Sequence, residues 1–200
     1  MRPALSFNIG RIKIKSEASD MSEQGLKLLV TGLPGSGKTT LVASIIDRLP
    51  DKSLIAGFIT REIREKGTRL GFELLSPDGR RAILSHVELK TPYRVGKYRV
   101  DLKGFETFLE SVRFFGPEVR LAVVDEIGRM ECLSERFREI VLRLIQGPGN
   151  LLATIAFRGT TFMERIKTSP GVKVLELTPA NRKPIQSELL EKIRVLFNPF

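Results

Sequence analysis

The chain has a single cysteine, Cys132, and a single histidine, His86, in 200 residues. One cysteine excludes an internal disulfide and fits a reducing cytoplasm, the expected location. No thiol-activating residue neighbours Cys132 in sequence, so a packed core thiol is the expected role. His86 follows an apolar run, and a structural or surface role is expected of it rather than catalysis. No stretch of about eighteen apolar residues occurs, which excludes a membrane-spanning helix. The opening residues also lack the apolar core of a secretion signal. Residues 1–24 are expected to be a flexible N-terminal extension, with Met21 a second candidate start, and residues 25–200 a single domain. A monomer is the default expectation.

Clustered charge is missing too. The formal net charge is +10, yet no run of five basic residues occurs and few aromatics lie among the basic ones. Attraction of a nucleoside triphosphate, or a charge-rich thermophile surface, accounts for the excess. Nucleic acid is allowed by the charge but is not the favoured partner. Hydrophobic residues at 42% and charged residues at 28% describe an ordinary globular chain.

The most informative stretch is Gly32-Leu33-Pro34-Gly35-Ser36-Gly37-Lys38-Thr39. It fits G-x-x-x-x-G-K-[ST], the phosphate-cradling loop, and chance gives such a match in about one chain of this length in a hundred. An apolar run, Leu26 to Thr31, leads in, and a helical pattern from Thr39 to Leu49 leads out. Strand, loop, helix is the arrangement the motif requires. The glycines let backbone approach a phosphate, and the amides of residues 35–39 gather at a helix N-terminus that favours anions. Pro34 has no N–H and only stiffens the loop. Lys38 is expected to reach the β- and γ-phosphates and the Thr39 hydroxyl to ligate Mg2+. Thr40 is counted with Gly32–Thr39 among the expected nucleotide-binding residues.

Further along, Ser53–Thr60 reads as a strand followed by polar Arg61–Arg69. Leu70–Ser76 and Arg80–Ser85, joined by Pro77-Asp78-Gly79, read as an inserted β-hairpin. Thr91–Lys103, with Pro92 and Gly96, reads as a surface loop, and Phe105–Phe115 as a helix stopped by Gly116-Pro117. Leu133–Gln146 is an amphipathic helix; Leu151–Phe157 a buried strand; Thr161–Thr168 a short helix; Val172–Leu177 a last strand; Ile185–Phe197 a closing helix. Strands alternating with helices give an α/β domain with a mostly parallel sheet covered on both faces.

Between them, Leu121-Ala122-Val123-Val124 is an apolar strand ending in Asp125-Glu126, and Ile127-Gly128 follow. The strand delivers its acids to the carboxyl edge of the sheet, where open α/β sheets bind ligands. Asp125 is expected to hold Mg2+ and Glu126 to orient or deprotonate the attacking water. Asp125-Glu126-Ile127-Gly128 also fits D-x-x-G of guanine-nucleotide switches, but no N-K-x-D follows, which disfavours that branch.

At this point the sequence resembles the thermophile-type, or cancer-related, nucleoside-triphosphatases. The matching stretches are Gly32–Thr40; Gly57–Thr60 with Arg64, Gly67 and Gly71-Phe72; Val95–Tyr98 with Asp101 and Phe105-Glu106; Asp125-Glu126-Ile127-Gly128-Arg129-Met130-Glu131; and Thr178-Pro179-Ala180-Asn181-Arg182. The resemblance covers most of the chain after Leu26. It implies a three-layer, RecA-like P-loop NTPase fold with an inserted β-hairpin. It also implies Mg2+-dependent hydrolysis of ATP, GTP and other triphosphates to the diphosphate. Nucleotide would be bound by Gly32–Thr39 and by Leu121–Gly128. The alternative is a P-loop kinase acting on a nucleotide, a small metabolite or an RNA end, since these motifs do not separate water from an alcohol as nucleophile.

Other basic residues have two readings each. Arg158, after the strand expected beside the phosphate-loop strand, either contacts the γ-phosphate or is a solvated loop residue. Asn181 and Arg182 either lie near the base or cap and charge the closing helix. Glu62 and Arg64 either order water or an acceptor, or form a solvated salt bridge.

Overall fold

A computed structural model describes residues 25–198; the expected extension, residues 1–24, lies outside the described residues. β1 (Lys27–Thr31) is buried at all five positions, and its exit loop runs directly into α1 (Lys38–Ile46). The chain continues through β2 (Ile55–Glu65), β3 (Thr68–Leu75), β4 (Arg81–His86), β5 (Arg94–Val95), β6 (Tyr98–Val100) and α2 (Leu102–Ser111). Then follow β7 (Leu121–Ile127), α3 (Glu135–Gln146), β8 (Leu151–Ile155), α4 (Thr161–Lys167), β9 (Val172–Glu176) and α5 (Arg182–Arg194).

The strands form one sheet in the order β5-β6-β4-β3-β2-β7-β8-β1-β9. β2, β7, β8, β1 and β9 are parallel, and β3 to β6 extend the β2 edge in antiparallel register. Alternating side chains divide the core into two layers. Leu28 and Val30 pack with Leu41, Ile45, Leu189 and Ile193, beneath α1 and α5. Leu29 lies in the opposite layer with Phe58, Phe105, Phe137 and Met163, beneath α2, α3 and α4. Phe58 and Phe105 meet edge to face at 6.1 Å. Helices on both faces of the parallel strands make the three layers that the resemblance implies.

Gly57 shows how closely the central strands approach. It sits at φ 130°, and a Cβ there would collide with the backbone of Val123 on β7. Buried Lys27 closes the far end of the sheet: its ammonium donates at 2.7 Å to the carbonyls of Leu144 and Gly147, and also to that of Gly149. These are acceptors at and just past the end of α3, left without intrahelical donors.

The expected hairpin is present, closed by Ser76 and Gly79, but the insertion is larger than the pattern suggests. Polar Arg61–Glu65 continues β2 as a projecting ribbon, paired with β3 from Thr68 onward. The stretch read as a surface loop, Thr91–Lys103, contributes β5 and β6, which pair with each other, and β6 pairs with β4. A turn at Gly96, φ 59°, joins them. Cys132 is buried in the core, and burial pushes its thiol up to about 12. His86 ends β4, where its Nδ1 accepts from the Glu88 amide at 3.3 Å.

Candidate functional site

The carboxyl ends of β1, β7 and β8 converge on the phosphate loop. Gly37 precedes α1 in the left-handed region, φ 91°, as a loop turning into a helix requires. The Ser36 hydroxyl is buried inside the loop without a hydrogen-bond partner. An anion held in the loop would satisfy an orphaned buried donor at this place. The Ser36 amide, expected to face a phosphate, instead donates to Leu33 O at 3.1 Å.

Lys38 bridges the loop and the acid strand. Its Nζ donates to Gly32 O at 3.2 Å and stands 3.6 Å from Glu126 Oε1. Asp125 lies behind, 1% exposed. Its carboxylate accepts from the Thr154 hydroxyl on β8 at 2.6 Å and from the Thr60 amide on β2 at 3.3 Å, and the Thr39 hydroxyl also reaches it. The Thr60 hydroxyl donates to the Asp125 carbonyl. Burial raises the Asp125 carboxyl, opposed by those hydrogen bonds and by Lys38. Burial raises Glu126 as well, with Lys38 opposing and Asp125 adding to the effect. Among the described residues no cluster of three metal-ligating side chains occurs. One carboxylate with one hydroxyl, Asp125 and Thr39, is a hard-oxygen pair suited to Mg2+, which takes its other ligands from phosphate and water.

In front of the loop opens a cleft of about 750 Å³. Pro34, Gly35, Gly37, Lys38, Thr39 and Thr40 form one wall, with Glu126 at its base. The opposite wall comes from the antiparallel extension and the turn after β7: Arg61, Glu62, Arg69, Phe72, Val95 and Glu131 among others. Glu62 binds two arginines, Arg64 at 2.6 Å and Arg69 at 2.7 Å. Arg69 also donates to Tyr98 Oη at 2.8 Å and lies over the Phe72 ring at 5.1 Å. Those partners hold the Glu62 carboxyl below, and the Arg69 guanidinium above, their ordinary ranges. Glu131 is 5% exposed, and burial pushes its carboxyl up to about 8, with Glu126 and Asp125 adding repulsion.

The structure thus brings Lys38, Thr39, Asp125 and Glu126 together. From the stretch Leu121–Gly128 only Glu126 lines the cleft; Leu121, Ala122, Val123, Val124 and Ile127 are core residues that carry the acids to the edge. Arg158 is exposed after β8, which does pair with β1, but it is not among the lining residues. Asn181 spends its amide on backbone: Oδ1 accepts from Thr178 N at 2.8 Å and Nδ2 donates to Glu176 O at 2.9 Å. Arg182 docks on the phosphate loop itself, donating to Gly37 O at 3.2 Å. Thr154 and Arg69 were not singled out from sequence, because nothing in their spacing marks them, and Thr60 entered only as the end of a strand and of a matching stretch. Glu131 lies within the distinctive acidic stretch, but no sequence feature assigned it a role there.

A phosphate loop at the carboxyl edge of a parallel sheet, with a buried aspartate and a lysine-paired glutamate beside it, defines a P-loop nucleotide-binding protein of the α/β class. The model of the NTPase family matches residues 27–190, and the chain belongs to that family. It is 43% identical over 166 residues to nucleoside-triphosphatase THEP1 of Thermotoga petrophila, covering 82% of this chain and 91% of that protein. It is 35% identical over 178 residues to the human cancer-related nucleoside-triphosphatase, covering 82% and 94%. The crystal structure of THEP1 from Aquifex aeolicus superposes with a TM-score of 0.75 at 34% identity, covering 84% of this chain and 99% of that one. The solution structure of the human protein gives 0.69 at 33% identity, covering 86% and 98%.

Proposed function

We propose that the chain is a Mg2+-dependent phosphohydrolase that converts a nucleoside triphosphate and water to the diphosphate and phosphate. ATP, GTP and other triphosphates are accepted. The observation that carries this reading is the Lys38–Glu126 pair at 3.6 Å, where the phosphate loop meets the acid strand. Lys38 and the loop amides bind the phosphates, and Lys38 turns from Gly32 O toward them. Glu126, half-buried between Lys38 and the cleft, takes a proton from the attacking water. Asp125 and Thr39 would hold Mg2+, which when bound neutralises charge on the phosphate oxygens. No helix among the described residues is long and apolar enough to cross a membrane. The one cysteine is buried and free, as suits a reducing compartment, and we read the protein as cytoplasmic, with a monomer as the default.

The test is phosphate release from ATP, GTP, CTP and UTP without any acceptor, with Mg2+ and with chelator. Release from all four, lost with chelator, is expected. Turnover that rises far above the basal rate only when an alcohol acceptor is added would replace the hydrolase with a kinase.

A further inference from the structure

Glu131 has no part in the reaction as derived above, yet it lines the same cleft as Lys38 and Glu126. The ion pairs of the cleft join Lys38 to Glu126, and Arg64 and Arg69 to Glu62; none reaches Glu131. The groups that face its carboxyl are backbone: the amides of Gly128 and of Glu131 itself oppose the effect of burial. A buried carboxyl without a cation is costly, and such groups in clefts concentrate at functional sites.

Gly128 links this acid to the one that matters for chemistry. A Cβ on Gly128 would lie 2.7 Å from Glu131 Oε2 and 3.6 Å from Glu126 Cγ. The two acidic side chains therefore flank one α-carbon. The missing side chain at 128 is the room through which Glu131 reaches back to the end of β7. The turn is closed on its other side by Cys132 N, which donates to Gly128 O at 3.1 Å. Glu126 stands two residues before that clamped peptide, at the base of the cleft.

We propose that Glu131 is a positioning residue for Glu126: its carboxyl packs against Gly128, fixes the turn after β7, and holds the Glu126 side chain toward the cleft. This rests on the hydrolase reading of the site. It assigns Glu131 no contact with nucleotide and no proton transfer.

Kinetics of Glu131→Ala, Glu131→Gln and Gly128→Ala test the role, with thermal midpoint and nucleotide affinity measured on the same samples. Glutamine keeps the size of the side chain and an oxygen packed against Gly128; alanine keeps neither. Glu131→Ala is expected to lower kcat about 10–100-fold, the scale set by a misplacement near 1 Å, with KM unchanged. Glu131→Gln recovers most of the rate. Gly128→Ala pushes the carboxyl off its seat and lowers kcat too, and combined with Glu131→Ala it adds little, because both break one clamp. A purely structural acid would shift the midpoint and leave kcat per folded molecule intact. Wild-type kcat in Glu131→Ala, or equal damage in Glu131→Gln, overturns the proposal alone. Absence of acceptor-free phosphate release from the wild type overturns the hydrolase reading with it.

Discussion

Arg182, the first residue of α5, donates from Nη2 to the carbonyl of Gly37 at 3.2 Å, across 145 positions of chain. The contact is tight: a Cβ on Gly37 would collide with the guanidinium. Arg182 therefore braces the loop peptide that precedes Lys38. Its removal should loosen the phosphate loop without touching the acids. Arg182→Ala is expected to weaken nucleotide binding about three- to tenfold, the effect of losing one charge-assisted hydrogen bond at an exposed site. The loss should be equal for purine and pyrimidine triphosphates. A titration with several nucleotides checks this. A loss confined to one base would mean that Arg182 stacks on the base instead, and unchanged affinity would mean that it does neither.

Lys38 and Glu126 should separate binding from chemistry. Glu126→Gln removes the base but leaves the loop, so it is expected to bind triphosphate normally and to lose about 10²–10⁴-fold in kcat. Lys38→Ala removes the cation facing the phosphates, so it should lose affinity first. Equilibrium binding beside single-turnover hydrolysis distinguishes the two. Wild-type turnover in Glu126→Gln would remove Glu126 from the water step.

Much of this was legible from residues alone. Gly32–Thr39 announces its loop because the glycine spacing is itself the mechanism, and Asp125-Glu126 announces the acid strand because an apolar run must end somewhere. The buried parallel strands were equally plain. Arg61–Glu65 was not. It is strand by hydrogen bonding to β3 while mostly exposed, so the apolar alternation that marks a half-buried strand is missing. β5 and β6 are two and three residues long, too short for any period to show. Nor does composition reveal desolvation. Glu131 reads as one more charge in Arg129-Met130-Glu131, and only the fold puts it out of water. For Asn181 the sequence left two roles open, and the fold shows its amide taken up by the turn from β9 to α5.

The burial of Glu131 makes a prediction about stability and pH. Its carboxyl titrates at about 8 in the fold against 4.5 ordinarily. Between those values the folded state keeps a proton that the unfolded chain has released. Stability contributed by this group is therefore highest below about pH 4.5 and falls as pH rises through the window, levelling off above 8. Glu131→Gln cannot ionise. The stability difference between Glu131→Gln and wild type should open in favour of the variant from pH 5 to 8, reaching on the order of a few kcal/mol. Denaturant unfolding of both proteins across that range measures it. A difference constant with pH would show that Glu131 is solvated or paired.

Lys27 offers the complementary case, a buried charge remote from the chemistry. It is 2% exposed, burial lowers its ammonium, and what compensates is three carbonyls at the end of α3 and just beyond. Lys27→Met keeps the length and apolar stem but leaves those carbonyls without a donor, that of Leu144 in the buried core and those of Gly147 and Gly149 nearer the surface. Each orphaned acceptor costs about 1–3 kcal/mol, partly offset because the ammonium no longer has to be desolvated. A net loss of about 2 kcal/mol is expected, which for a domain of this size lowers the thermal midpoint by about 4–8 °C. Because β1 runs from Lys27 at one edge of the sheet to the phosphate loop at the other, the lesion lies at the far end of the strand from the site. The kcat per folded molecule should therefore stay at the wild-type value below the new midpoint. Calorimetry with activity measured on the same sample decides it. A variant that melts normally would show that the three carbonyls find other donors, and one that melts normally but hydrolyses slowly would tie the end of α3 to the loop.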